Sequence, residues 1–354
     1  MKVGNKPVIK VGIVGPTGYG GRELVRILSC HPEVQIEALV SHSIAGEELS
    51  SSIRAFRSVA DKVCEAFDAA SLAGRCDAVF VAVPATESAR FVKALHAAGA
   101  KCVLDTGPDF RLKDAKVFAQ YYGAEHPAPD LLAESVYGLA ETNREALSGA
   151  KIVAVPGCYP IGALLAVAPL VRERDLVGAP VIVNALSGIS GGGRSLNENF
   201  HFPEANENAR AYKVAVHQHG PEMEQEIKRI AGRDIPTIFV PHTVPMTRGI
   251  ATTAIVPLEK TVDLAALEKL YHAFYADEPF VRVLPRGETP EVKHVRGSNF
   301  CDVAVTYDPR TNRAIALSAI DNLTKGTAGQ AVQDMNVLFG LEETCGLWWG
   351  ALSP

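Results

Sequence analysis

The sequence predicts an α/β protein of two domains, an open parallel-sheet domain followed by an α+β domain. Three observations predict it. The chain has 354 residues, more than one ordinary hydrophobic core organises. Along the first half, β-rich runs alternate with helical patterns, which implies a parallel sheet covered by helices on both faces. The second half carries more strand-like runs and fewer helices, which points to a mixed, largely antiparallel sheet. The boundaries read as 1–157 for the first domain, completed by 323–354, and 158–322 for the second.

Composition narrows the partners. Apolar residues make up 47% and charged residues 21%, a soluble globular mixture. A net charge of −5 without a basic block argues against nucleic acid. No apolar segment is long enough to span a bilayer, so no membrane is expected. The start, Met1 to Pro7, lacks the apolar core of a signal peptide. Seven scattered cysteines, never in C-x-x-C spacing, read as reduced thiols of a cytoplasmic protein, with neither a disulfide framework nor a zinc site.

The first strand, 8–14, feeds Gly15-Pro16-Thr17-Gly18-Tyr19-Gly20-Gly21 and then a helix over 22–29. A glycine turn between a strand and a helix suits a pyrophosphate. Backbone approaches the anion closely, and the helix N-terminus attracts it. The alternative is a turn that uses glycine only for its positive φ. The second strand, 36–40, ends in Ser41-His42-Ser43. An acid at that point would hold a ribose 2′-hydroxyl; two hydroxyls and an imidazole instead favour a 2′-phosphate, hence NADP over NAD. The alternative is that Ser41 and Ser43 only cap a turn. Further strands are expected at 77–83, 101–105 and 152–155, with a helix over 87–98. Pro84, Asp105 and Cys158 stand at strand carboxyl ends, where ligands of such sheets bind.

The stretch Pro156-Gly157-Cys158-Tyr159-Pro160 turns from a strand into an apolar helix, expected to be ended by Pro169 and the charges after it. A cysteine near a helix N-terminus gains thiolate character and a donor set for an oxyanion, as acyl transfer to sulfur requires. The alternative for any one cysteine is a packed core thiol. Strand 181–185 leads into Ser187-Gly188-Ile189-Ser190-Gly191-Gly192-Gly193-Arg194, rich in N–H groups and carrying one guanidinium. That loop suits a phosphate, or is simply a mobile surface loop. His217-Gln218-His219 precedes a polar helix over 223–230. His219, near the helix start, is a candidate acid–base group; either histidine alone also fits a structural role. No third ligand of suitable spacing accompanies the pair, so no metal is expected. Strands follow at 238–240, 249–256 and 301–306, with a helix over 264–275. A last helix over 326–339 presents an apolar face and is expected to return to the first domain.

Taken together, the 15–19 turn, Asp109-Phe110-Arg111-Leu112, Val136-Tyr137-Gly138-Leu139, the turn at Cys158, the 187–194 loop, 217–222, 245–249, 296–299 and 320–323 resemble the N-acetyl-γ-glutamyl-phosphate reductases of the aspartate-semialdehyde-dehydrogenase-like superfamily. The resemblance covers nearly the whole chain, and departs at Val155, Ile161, 106–108 and His42. It implies an enzyme of arginine biosynthesis that uses NADPH to reduce an acyl phosphate to an aldehyde. Cys158 would form a thioester, and His219 would take and return its proton, with His217 second choice for that role or a supporting partner. Arg111, with Ser190, Gly191 and Arg194, would receive the leaving phosphate. Tyr212, Glu222 and Arg248 would hold the acetylglutamyl portion. Ser187, Gly188 and Asn322 would contact the cofactor, Asn322 at the nicotinamide carboxamide. A homodimer or homotetramer is expected. Two readings stay open beside this one: a paralogue acting on a carrier-linked or aspartyl phosphate, and a non-catalytic NADP-binding scaffold.

Overall fold

A computed structural model describes residues 8–352. The reading of Met1 to Pro7 lies outside the described residues. The chain forms two compact units. The first runs through Pro156 and adds Thr327–Trp348; the second takes Gly157–Gly326 and the tail from Trp349.

The first unit holds six strands: β1 (Ile9–Val14), β2 (Val34–Val40), β3 (Ala78–Val81), β4 (Val103–Asp105), β5 (Ser135–Tyr137) and β6 (Ile152–Ala154). They pair in the order β2-β1-β3-β4-β6-β5, and every pairing is parallel. Helices α1 (Tyr19–Leu28), α2 (Leu49–Ser52), α3 (Ala69–Arg75), α4 (Ser88–Ala97), α5 (Ala115–Tyr122) and α6 (Ala140–Leu147) lie between the strands. Every residue of β3 and β4 is buried, so both faces of the central sheet are covered. On one side Val79 and Val81 pack with Leu72 of α3 and with Ala89, Val92 and Leu95 of α4. β5 and the helices α2, α3, α5 and α6 were not among the sequence expectations. β5, Ser135-Val136-Tyr137, has one β-branched residue and no apolar run around it to recognise.

The second unit holds β7 (Val181–Gly188), β8 (Arg210–Ala211), β9 (Thr237–Val244), β10 (Ile250–Pro257), β11 (Val281–Val283), β12 (Cys301–Asp308) and β13 (Arg313–Ile320). Their order is β11-β12-β13-β10-β7-β9-β8. The β7–β9 and β11–β12 pairs are parallel and the rest antiparallel, the mixed sheet the sequence predicts. Its helices are α7 (Cys158–Arg172), α8 (Phe202–Ala205), α9 (His219–Ala231) and α10 (Leu264–Phe274). α7 packs on β10, β13 and β12, with α9 and α10 against it. Gly162 lets α7 approach the sheet closely. A Cβ there would lie 3.2 Å from both Ser318 and Thr252 hydroxyls, and Ser318 Oγ donates to Gly162 O at 2.7 Å.

The other face of this sheet is open. Burial alternates along β7, exposing Ile182, Asn184 and Leu186. Register places Ile238, Ile182, Ile255 and Ile315 side by side across β9, β7, β10 and β13.

Three expectations need correction. α7 does not end at Pro169 but runs through it to Arg172. Proline removes the N–H that would reach the carbonyl four residues back, which is Leu165 O. The Tyr275 hydroxyl supplies the missing donor to Leu165 O, and Tyr271 donates to Ala166 O beside it. The helix expected over 223–230 starts earlier, at His219, because Pro221 falls in the first turn, where no intrahelical N–H is needed. The helix expected over 326–339 is divided. A π turn, Thr324–Ala328, precedes α11 (Gly329–Leu338), which packs with α1 and α6 in the first unit. Among the described residues no helix is long and apolar enough to cross a membrane.

Candidate active site

In the first unit the glycine turn separates protein need from ligand need. Gly15 has φ +87°, and a Cβ there would lie 2.3 Å from Ala82 O. A Cβ on Gly21 would lie 2.0 Å from Gly15 O. The first and third glycines are therefore demanded by the strand–turn–helix packing itself. Gly18 is different: a Cβ there meets nothing nearer than 3.9 Å. It is the N-cap of α1, with no side-chain cap and no acid in the first turn. Gly18 thus leaves open space at a helix N-terminus, which fits a pyrophosphate, whereas a Cβ on Gly20 would lie 3.3 Å from Thr327 Cγ2. At the end of β2, Ser41 Oγ lies 3.3 Å from Ser43 Oγ, and His42 and Ser43 are exposed. The nearest strand neighbour there is Glu65, whose carboxylate is taken by Arg75. Pro84 is exposed in the turn after β3.

Beyond β4 lies a buried acidic pair. Asp105 is fully buried, accepts from Ser88 Oγ at 3.0 Å and Gly107 N at 2.9 Å, and is pushed up to about 7 by burial and then by the Asp109 charge. Asp109 accepts from the backbone N–H groups of Thr86 and Ala89. Arg111 is buried among them. Its Nε donates to Val155 O at 2.8 Å and its Nη2 to Thr106 O at 2.9 Å, tying the ends of β4 and β6.

In the second unit, Gly157 is the N-cap of α7 and Cys158 its first residue. Its neighbour in space is His219, the first residue of α9. A Cβ on Gly157 would lie 2.4 Å from His219 Nε2, so the imidazole rests directly on the residue before the cysteine. Glu222, fully buried, accepts the Gly157 N–H on Oε1 at 2.8 Å. One turn of α9 therefore supplies both the imidazole and the carboxylate that hold the cysteine's turn. On the other side, a Cβ on Gly326 would lie 3.0 Å from the Cys158 Cβ. Cys158 is partly exposed, whereas burial pushes the Cys76 and Cys102 thiols up to about 11 and about 12.

An aromatic cluster surrounds this pair. His217 accepts the His219 N–H on Nδ1 at 3.1 Å, and the two rings lie 4.7 Å apart. Burial and then the Lys213 charge push His217 down to about 4, so it is neutral at physiological pH. Tyr212 Oη donates to Tyr159 Oη, which donates to His242 O, each at 3.1 Å. Burial raises both phenols, Tyr212 to about 12, which keeps them protonated.

The 187–194 stretch is less loop-like than its glycines suggest. Ser187 and Gly188 close β7, and Ile189–Gly192 form a 3-10 turn. Asn322 Nδ2 donates to Ser190 Oγ at 3.0 Å, and a Cβ on Gly191 would lie 3.3 Å from Ser187 Oγ. Arg194 lies exposed beyond this cluster. Asn322 Oδ1 also accepts the Gly249 N–H at 2.7 Å, next to Arg248. Arg248 is held by Asp321 through Nε at 3.2 Å and Nη2 at 2.8 Å, with Nη2 also 2.9 Å from Thr324 Oγ1.

The structure thus brings Cys158, Tyr159, Tyr212, His217, His219 and Glu222 together, and separately Ser187, Ser190, Gly191, Asn322 and Arg248. Sequence reasoning gave no role to Gly157, Gly326 or Asp321, although the first and third lie in motifs it named. The first two act by lacking a side chain, and the third stands beside Asn322, which was singled out.

A cysteine starts a helix with an imidazole on the residue before it, in a chain that also carries a strand–glycine turn–helix, and comparison with known proteins places such a chain among the semialdehyde dehydrogenases. Two family models match: "Semialdehyde dehydrogenase, NAD binding domain" over residues 10–150 and "Semialdehyde dehydrogenase, dimerisation domain" over 158–322. Solved structures share the fold. Aspartate semialdehyde dehydrogenase II from Vibrio cholerae, complexed with ASA, has a TM-score of 0.72 at 18% identity, covering 95% of this chain and 99% of that one. The Candida albicans aspartate semialdehyde dehydrogenase with NADP also reaches 0.72, at 17% identity, covering 93% of this chain and 98% of that one. Curated relatives are nearer. The N-acetyl-gamma-glutamyl-phosphate reductase of Desulforudis audaxviator is 47% identical over 347 residues, 98% of this chain and 100% of the relative. That of Pelotomaculum thermopropionicum is 45% identical over 346 residues, 98% of this chain and 99% of the relative. The chain belongs to this reductase family.

Proposed function

We propose that the chain is an NADP-dependent N-acetyl-γ-glutamyl-phosphate reductase of arginine biosynthesis, releasing phosphate and the 5-semialdehyde. The observation that carries the mechanism is the contact of His219 Nε2 with Gly157, one residue from Cys158. His219 takes the thiol proton. The thiolate of Cys158, at the positive end of α7, attacks the acyl carbon. The first-turn N–H groups stabilise the developing oxyanion. The carbon–oxygen bond to phosphate breaks, inorganic phosphate leaves and a thioester remains on Cys158. When bound, NADPH supplies the hydride that takes the thioester to the aldehyde level. His219 then returns its proton as the carbon–sulfur bond breaks. Glu222 keeps the turn in place by accepting the Gly157 N–H, and the neutral His217 fixes the His219 backbone.

Gly15, Thr17, Gly18, Tyr19, Gly20 and Gly21 would hold the pyrophosphate, and Ser41, His42 and Ser43 the 2′-phosphate. The open space at Gly18 supports this assignment. Pro84, Ser187, Gly188 and Asn322 complete the proposed cofactor set. Arg111, Ser190, Gly191 and Arg194 are proposed for the phosphate, and Tyr212 and Arg248 for the acyl portion. The name shared by full-length relatives favours this reading over a lysine-pathway paralogue or a scaffold. Seven free thiols fit a reducing cytoplasm. The open isoleucine row of the second unit fits a homodimer formed face to face.

The test runs the reaction backwards. Wild-type protein given N-acetylglutamate 5-semialdehyde, NADP and phosphate should form NADPH. The Cys158→Ser variant should bind NADPH normally and lose more than a hundredfold in turnover. Absence of NADPH formation by the wild type, or full activity of the variant, defeats the proposal.

A further inference from the structure

His217 and Tyr212 stand against each other in the second unit, their ring centroids 5.4 Å apart. Their hydrogen bonds fix what each can offer a ligand. A backbone N–H can only donate, so His217 Nδ1, which receives the His219 N–H at 3.1 Å, carries no proton. Burial keeps the ring neutral, and a neutral ring with a bare Nδ1 holds its proton on Nε2. No group among the described residues accepts that Nε2–H, although His217 is only 5% exposed. The side chain therefore presents a donor and nothing else.

Tyr212 offers the opposite. The carbonyl of His242 is acceptor-only, so the single proton of Tyr159 Oη goes there, at 3.1 Å. Tyr159 Oη can then only accept from Tyr212, and the one proton of Tyr212 is spent on it, also at 3.1 Å. What Tyr212 Oη has left is lone pairs. No donor among the described residues reaches them, and the side chain is half-buried. Both groups stand near the nucleophile. Tyr159, next to Cys158 in the chain, meets the rings of His217 and His219 at 5.7 and 5.8 Å. The Cys158 charge contributes to raising both phenols.

Few ligand groups satisfy a lone donor beside a lone acceptor. A carboxylate brings only acceptors and sets lone pairs against those of Tyr212. An ammonium brings only donors and sets them against the His217 N–H. A secondary amide carries one N–H and one carbonyl and satisfies both. We propose that His217 and Tyr212 form a subsite for an N-acyl amide, in which Tyr212 Oη accepts the amide N–H and His217 Nε2–H donates to the acyl carbonyl. This rests on the reductase reading above, and it makes the pair select against a substrate whose amine is free. Tyr159 is the positioning residue that fixes the direction of the Tyr212 hydroxyl.

The experiment compares kcat/KM in the semialdehyde-oxidising direction for the N-acetyl semialdehyde, its O-acetyl analogue, in which an ester oxygen replaces the N–H, and its N-thioacetyl analogue, whose sulfur is a poor acceptor. Each value is a ratio between two substrates on one protein, so a loss of turnover common to both cancels. A wild type inactive on the N-acetyl substrate refutes the reductase reading itself. An active wild type should prefer N-acetyl over O-acetyl by about a hundredfold and over N-thioacetyl by about tenfold. Tyr212→Phe should shrink the first preference to within about threefold and leave the second. His217→Phe, which keeps an aromatic ring in place, should abolish the second and leave the first. Tyr159→Phe lets the Tyr212 proton point outward. It should weaken the first preference through a gain on the ester, and it tests the subsite if Tyr212→Phe does not fold. A wild type that uses all three substrates alike, or variants that keep the wild-type preferences, would overturn the assignment and leave His217 and Tyr212 as packing groups.

Discussion

At the scale of single residues, the centre depends on groups that are absent as much as on groups that are present. Gly157 has no Cβ, and His219 Nε2 occupies the place where one would sit. The Gly157→Ala variant should therefore fold, bind NADP and lose ten- to a hundredfold in kcat, because a displacement of about 1 Å between reacting groups has that effect. Activity within twofold of wild type would show that the imidazole has another way to reach the thiol. Asp105 makes a prediction about pH. Burial raises it to about 7. A carboxyl raised in the folded state contributes stability that is complete below its unfolded value, near 4, and is lost as pH rises through about 7. Asn at this position can still accept from Gly107 N and pair with the Ser88 hydroxyl, which can reverse its role. Melting temperatures of wild type and Asp105→Asn should accordingly diverge as pH rises from about 4 to about 7, with the wild type falling further by a few degrees, and run parallel above about 8. A difference constant over that range would mean that Asp105 does not titrate there.

At the scale of elements, α7 shows what the sequence can and does not display. Its start was legible because a β-branched run, a Pro-Gly turn and an apolar run are all local signals. Its continuation past Pro169 was not, because the donor that replaces the proline N–H comes from Tyr275 on a distant helix end. Tyr275→Phe should lower stability by about 1–3 kcal/mol, since it leaves the buried Leu165 carbonyl without that partner. Combining it with Pro169→Ala should recover part of the loss, because the new N–H can reach the same carbonyl; urea denaturation of the two variants measures both effects. The same limit applied to the site. Cysteine, histidine and the glycine turn were visible as residue types in a recognisable setting. Glu222 serving the Gly157 N–H and Asp321 holding Arg248 depend on partners 65 and 73 residues apart in sequence. The parallel sheet was legible from alternation alone, while β5, with a single β-branched residue, and two-residue β8 left no pattern.

At the scale of the whole molecule, the open face of the seven-stranded sheet is the feature with the clearest consequence for assembly. Ile182, at the centre of a row of four isoleucines, lies beside Ile238 and Ile255 and is 36% exposed. Ile182→Asp should convert the proposed dimer to monomer in sedimentation equilibrium without weakening NADP binding, since the charge would have to be desolvated twice in a two-fold interface. An unchanged sedimentation mass would place the interface elsewhere. The interleaving of the two units along the chain carries a consequence of its own. α11 belongs to the unit begun at the N-terminus, yet the ribosome makes it only after residues 157–326 of the other. The last segment, in turn, returns to the second unit, where Trp349 Nε1 donates to Gly297 O. Neither unit is finished until translation is nearly over. A message truncated before Thr327 would therefore leave α1 and α6 without the helix that packs on them.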